Sequence, residues 1–209
     1  MLDDRSCVDQ FVAAVGTRIA HVTPAQNLTG ITAQGLLSAA MLAQRAGIEP
    51  GSIAMRQNRL EIGTALLTHQ RPLLQGAAAA ERMLEDHNMS SWAAQLDLRV
   101  FFWPERKGHA FAKSIARDVE VAVIWLDAAR FAAALTDHID LAPINTGNFC
   151  RSGAKVRRGD WIYSPLRSGL QAFRGNRQMR GLKQNTDIVT EISIRSVISP
   201  GLLRSIRSD

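Results

Sequence analysis

The chain has 209 residues, 46% hydrophobic and 21% charged, which suits one globular domain with a substantial core. No stretch reaches the roughly 18 apolar residues needed to span a bilayer; the nearest, Val119 to Leu135, is broken by Asp127 and Arg130. The formal net charge of +6 is concentrated between Cys150 and Lys183, where nine Lys or Arg face Asp160 alone.

The N-terminus, MLDDRSCVDQ, opens on two aspartates and lacks the basic-then-apolar order of a secretion signal. Two cysteines, Cys7 and Cys150, make neither a disulfide framework nor a metal site, so the expectation is two free thiols in a reducing cytoplasm.

In chain order, a helix from about Cys7 to Val15 ends at Gly16, which can adopt a left-handed cap. Arg18 to Thr23 reads as a strand, with His21 and Thr23 on one face because side chains alternate with period two. Pro24 is expected in the first turn of a helix that carries Leu28 and Ile31 and closes at Gly35. Ser38 caps a second helix to about Ala46, stopped by Gly47. Ser52 to Arg56 and Ala65 to Leu74 read as strands or loop. Helices are expected over Ala77 to Asp86 and, with a serine cap, Ser90 to Leu96.

Leu98 to Trp103 (LRVFFW) is the clearest aromatic strand. A helix from Glu105 to Arg117 tolerates Gly108. Val119 to Leu126 (VEVAVIWL) reads as a central strand, Asp127 as the cap of a helix to Leu135, and Ile139 to Ile144 as a strand. Asn145 to Asn185 holds six glycines and most of the basic charge, so it is expected to be mainly loop with one short helix. Asp187 to Arg195 (DIVTEISIR) alternates as a last strand. Strands and helices mix without a βαβ rhythm, which predicts an α+β fold in a single domain over 1–209, with a basic loop-rich segment at about 150–185. No GxGxxG or Walker loop is present.

The order His21-Val22-Thr23-Pro24, Asn27-Leu28, Ile31 and Gly35-Leu36 is the most specific signal. An imidazole and a hydroxyl two apart on a strand point the same way and can bond a ribose diol or carboxamide. This H-x-T-P-x-x-N-L-x-x-I-x-x-x-G-L order resembles the opening of DarT-type DNA ADP-ribosyltransferases, and more loosely that of RNA 2′-phosphotransferases. It is similar, too, to a group of uncharacterised bacterial domains sharing the H-x-T…GLL opening. The resemblance implies an ADP-ribosyltransferase-like fold with His21, Thr23 and Asn27 against NAD as co-substrate. It also implies a role for Arg106, three residues past the aromatic strand, at the cofactor phosphate or the acceptor, with Arg99 a weaker cofactor-binding candidate. Glu191, on the last strand, takes the place of the glutamate that such folds carry late in the chain. A carboxylate there stabilises the positive charge that develops as a nicotinamide–ribose bond breaks, or serves as base for the acceptor.

Leu141 to Asn148 (LAPINTGN) resembles the uncharacterised group alone, and its Asn-Thr-Gly turn reads as structural slightly more than functional. His69, His87, His109 and His138 show no metal-ligand spacing, and the four tryptophans read as core anchors. The implied function is NAD-dependent mono-ADP-ribosyl transfer, with DNA or RNA held by the basic 150–183 segment or an antitoxin-like protein as partner. The alternatives are a non-catalytic nucleotide or nucleic-acid binding module of the same fold, or an RNA 2′-phosphotransferase-like enzyme. The other reading of the basic segment is a solvated loop.

Overall fold

A computed structural model describes residues 3–117, 119–150, 155–179, 181 and 188–208. Its fold is α+β, built on a wholly antiparallel six-stranded sheet. Helix α1 (Asp4–Val15) starts where the Asp3 carboxylate accepts from Ser6 N–H, and it buries Cys7, Phe11, Ala14 and Val15, one stripe at helical spacing. Strand β1 (Arg18–Pro24) follows, so Pro24 ends a strand instead of opening a helix. The next helix, α2 (Asn27–Gln34), begins only three residues later. Helix α3 (Ala39–Arg45) is capped by Ser38, whose hydroxyl accepts from Met41 N–H at 3.2 Å.

The ambiguous stretch after Gly47 resolves into a 3₁₀ turn at Pro50–Ile53, a separate hairpin of β2 (Leu60–Ile62) and β3 (Ala65–Leu67), and the short helix α4 (Arg71–Leu74). Helices α5 (Ala77–Met83) and α6 (Met89–Asp97) come next; α6 is capped by Asn88 and Ser91 reciprocally, not by Ser90.

Strand β4 (Val100–Pro104) leads into α7 (Glu105–Ile115). Gly108 is what lets α7 lie on the sheet: a Cβ there would stand 2.6 Å from Ala20 Cβ and 3.1 Å from the Trp125 ring. Strand β5 (Val121–Asp127) pairs with β1 over seven positions, and Asp127 caps α8 (Ala128–Leu135) through Arg130 N–H. Strand β6 (Ile139–Ala142) is two residues shorter than expected.

Among its described residues, the segment expected to be mainly loop with one short helix contains 3₁₀ turns at Asp160–Ile162 and Leu166–Ser168, strand β7 (Ser164–Pro165) and the eleven-residue helix α9 (Gly169–Met179). The last strand, β8 (Glu191–Ile194), is shorter than the alternation suggested, and Asp187 lies outside the described residues. Helix α10 (Pro200–Ile206) closes the described chain.

Strand order is β5-β1-β4-β8-β6-β7, so β5 is an edge strand, not a central one. Its apolar run has another cause. One face packs with α7 through Val121, Val123 and Trp125, and the other contributes Ile124 and Leu126 to the main core. Its outer rim is covered near one end, where Leu126 bridges Arg207 and Ser208 N–H donates to the Trp125 carbonyl. The main core lies on the opposite sheet face from α7. There Phe11 stacks on Phe131 at 6.1 Å, and Phe102 meets Phe131 edge-on at 4.9 Å.

The pairing of β1 with β4 sets the rest of the architecture. They share only Ile19↔Pro104 and Ala20↔Trp103. Beyond that point β1 continues with β5, while β4 continues with β8. The sheet therefore opens between its second and third strands.

Candidate functional site

A cavity of about 690 Å³ fills this opening, within the several-hundred-Å³ range of small-molecule sites. Register places His21 and Thr23 on the core face of the sheet, with Ile19, Ile124 and Phe102. Glu191 belongs to the opposite face, with Ser193 and Phe101. A continuous sheet would hold these groups apart. Because the strands part, His21, Thr23 and Glu191 all line one cavity.

His21 sits at the divide, its Nδ1 2.9 Å from the Phe101 carbonyl oxygen and its ring 5.6 Å from that of Phe102. A carbonyl only accepts, so Nδ1 carries the proton and donates, leaving Nε2 as an acceptor. Burial pushes the imidazole pKa down, partly offset by this hydrogen bond, which favours the neutral ring.

Thr23 and Asn27 act together. The Asn27 amide donates to Thr23 Oγ1 at 2.9 Å and to the Leu66 carbonyl at 3.0 Å, and its oxygen accepts from Leu66 N–H at 2.7 Å. Both amide hydrogens and the oxygen are thus engaged with the chain itself. Asn27 fastens the β2–β3 hairpin as the cavity wall, and Thr23 retains its hydroxyl proton for a ligand.

Glu191 is 3% exposed. Its Oε1 accepts from Thr146 twice, from the backbone N–H at 3.3 Å and the hydroxyl at 2.5 Å. Burial raises the carboxyl to about 7 against the opposing pull of the Thr146 bonds and of Arg158 and Arg99. Such a group exchanges protons readily at neutral pH.

Arg99, 4% exposed, also lines the cavity, but its guanidinium is engaged behind the wall. It donates to Asp140 at 2.7 Å and Ser193 at 2.9 Å, and stacks 3.5 Å over the Tyr163 ring. It supports the floor near Glu191.

Arg106 is not brought to the cavity. Its guanidinium donates to the carbonyls of Ala14 at 3.3 Å and Val189 at 3.1 Å, tying the end of α1 to the lead-in of β8. The expectation failed because spacing from the aromatic strand put Arg106 in the first turn of α7, on the side facing α1. His109 is exposed beside Trp125, outside the lining.

Four features in the cavity wall or behind it were not among the sequence candidates or were set aside. Thr146 belongs to the Asn-Thr-Gly turn read as structural; its contact with Glu191 spans 45 positions and has no local signature. Arg158, fully buried over the Phe149 ring at 3.9 Å, is pushed down to about 10 by burial despite the pull of Glu191 and Tyr163. Burial likewise pushes the Tyr163 phenol up. Arg56 and Asp97 form a buried pair at 2.5 Å in the cavity wall, with Gln70 donating to the second Asp97 oxygen at 3.1 Å.

The basic segment is largely spent on internal contacts. Arg158 donates to the Asn148 carbonyl, Arg157 pairs with Glu85, and Arg167 pairs with Asp4 and Asp137. Arg177 is 7% exposed and donates to the carbonyls of Pro143 and Ile188. Arg151, Arg180 and Lys183 lie outside the described residues. Among the described residues both cysteines are free, no His, Cys, Asp or Glu cluster could hold a metal, and no helix is long and apolar enough to cross a membrane.

DUF7002, a family of unknown function, matches residues 17–202, which takes in every strand of the sheet and the whole cavity lining. The chain belongs to this family. No curated protein and no solved structure matches it.

Proposed function

We propose that this DUF7002 member is an NAD-dependent mono-ADP-ribosyltransferase. One observation carries the reading: a buried glutamate poised at about 7 shares a cavity with a neutral histidine where the central strands part. The residues present suit NAD. The cavity is large enough for a nucleotide-sized ligand, Trp103 and Phe111 stack at 3.7 Å in its wall, and His21 Nε2 and the Thr23 hydroxyl offer one acceptor and one donor. NAD would supply a ribose carbon activated by nicotinamide as leaving group. Glu191, when ionised, sets a negative charge where positive charge develops, and as a base takes the proton of the incoming acceptor. Arg106 has no part in this chemistry.

The test uses NAD labelled separately in nicotinamide and in ADP-ribose, with DNA, RNA and protein as acceptors. Nicotinamide release and transfer of the second label are expected, falling at least about 100-fold in Glu191→Gln. Equal rates in both proteins, or none in the wild type, would overturn the reading. Nucleic acid as acceptor is a companion proposal resting on the net charge of +6; it requires binding that weakens steeply with salt. A binding-only module is favoured by the near-complete covering of Glu191. Under it, NAD or nucleic acid raises the melting temperature while no nicotinamide appears.

A further inference from the structure

We infer that Thr146 is a positioning residue for Glu191, anchoring one carboxyl oxygen so that the other alone faces the ligand. The role deepens the transferase proposal and rests on it only for the reaction performed.

Both Thr146 donors converge on Oε1, and these are the hydrogen bonds that Glu191 receives among the described residues. Oε2 takes none, yet it is not among the buried polar atoms sealed without a partner, and Glu191 lines the cavity. The two oxygens are therefore chemically distinct: Oε1 is held by the protein, and Oε2 is open to whatever enters.

Thr146 is itself immobilised, as a positioning group must be. It is fully buried, and its carbonyl accepts from the Trp92 indole N–H at 3.1 Å. On either side the chain turns through Asn side chains: Asn145 Oδ1 accepts from Gly147 N–H at 3.2 Å, and Asn148 Oδ1 from Cys150 N–H at 2.9 Å. The N-T-G-N sequence thus builds a rigid turn whose centre meets the carboxyl.

Among the described residues, none of the other charged or titratable groups near Glu191 hydrogen-bonds its carboxyl. Arg99 faces it from the approach to β4 but bonds Asp140 and Ser193. Arg158 donates to the Asn148 carbonyl, Lys107 of α7 donates to the Thr190 hydroxyl at 2.8 Å, and Tyr163 lies beneath Arg99. They act on Glu191 through space, whereas Thr146 touches it.

The experiment follows the Glu191 carboxyl directly, by carbon NMR of protein labelled at glutamate side-chain carboxyls, with Glu191→Gln identifying the signal. Thr146→Val keeps shape and backbone N–H but removes a hydroxyl that stabilises the anion. The titration midpoint should rise by about 1–2 pH units, the worth of one hydrogen bond to a charged group. Thr146→Ser should restore it. In nicotinamide release the rising limb of the kcat–pH profile should move by the same amount, with KM for NAD held within about twofold. Thr146→Cys, a weaker donor, should give a smaller upward shift and serves if the valine variant does not fold. An unchanged midpoint in a folded Val or Cys variant would overturn the inference. A wild type that titrates near 7 and shifts as stated, yet releases no nicotinamide, would end the transferase proposal and leave Thr146 its role.

Discussion

Gly35, the glycine of the opening motif, can be tested with one methyl group. Its φ is +83°, and a Cβ built there would lie 2.0 Å from the Ile198 carbonyl oxygen, a backbone atom with nowhere to go. That oxygen accepts from Leu36 N–H at 2.9 Å, and Ile198 N–H returns a bond to the Leu36 carbonyl at 3.1 Å. Gly35→Ala must therefore break this two-bond bridge and hold alanine in a left-handed conformation. With ψ at −171° the backbone there is one essentially reserved to glycine, so the conformational strain is ~1–3 kcal/mol and the lost hydrogen bonds are ~1 kcal/mol each, together roughly 3–5 kcal/mol. Urea denaturation should show that loss, and the melting temperature should fall by about 10 °C for a domain of this size. Gly47→Ala is the internal control: its φ is +72°, but nothing lies within 4 Å of the added carbon. It should lose only the strain, ~1–2 kcal/mol. Equal losses in the two variants, or less than about 1 kcal/mol for Gly35→Ala, would refute the close-approach argument.

Three further expectations concern the cavity walls. Glu191 titrates near 7 when folded and near 4.5 when unfolded, so the folded state holds a proton that the unfolded chain releases between those values. Its contribution to stability is present below pH 4.5 and is lost as pH rises through 7. Glu191→Gln should therefore gain roughly 3 kcal/mol on the wild type between pH 4.5 and 8, and parallel stability–pH curves would contradict this. Asp97→Ala should cost about 3 kcal/mol by leaving the largely buried Arg56 guanidinium without its carboxylate, with only the Thr68 and Ile53 carbonyls as acceptors among the described residues. Arg56→Met combined with Asp97→Leu should recover much of it in the same denaturation assay, and a double variant as unstable as Asp97→Ala would count against the pairing argument. Asn27→Ala should lower stability by about 2–3 kcal/mol and speed proteolytic cutting within the 60–67 hairpin, because the amide that bonds both polar groups of Leu66 is gone. Unchanged cutting would show that the hairpin is held by other contacts.

Much of the fold was legible because its signals are local. Asp127 and Ser38 cap helices where a short polar side chain precedes an apolar period, and β1 and β4 begin within two residues of their predicted starts. Gly35 was read as a helix stop, which it is, but its contact with Ile198 lies 163 positions away and leaves no trace in the nearby pattern. Strand β5 was misplaced for a similar reason. An apolar run reports that both faces are covered; it does not say whether a second strand or a terminal segment lies alongside. The helix α9 was expected only as one short helix without a place in the segment, because glycines and arginines mask its buried stripe of Leu170, Phe173 and Arg177.

The sequence by itself determined that His21 and Thr23 share a strand face, that the chain mixes helices and strands in an α+β order, and that Glu191 sits on the last strand; that the sheet is antiparallel came from the pairing. Tertiary structure decided which of these meet. Strand alternation puts His21 and Glu191 on opposite faces of the sheet, and only the early parting of β1 from β4 lets one cavity reach both. The same long-range packing turned Arg106 to the backbone of Ala14 and Val189 and brought Thr146 onto the Glu191 carboxyl. Periodicity acts over a few residues, whereas strand order, and the burial that moves a carboxyl to about 7, arise between segments far apart in the chain.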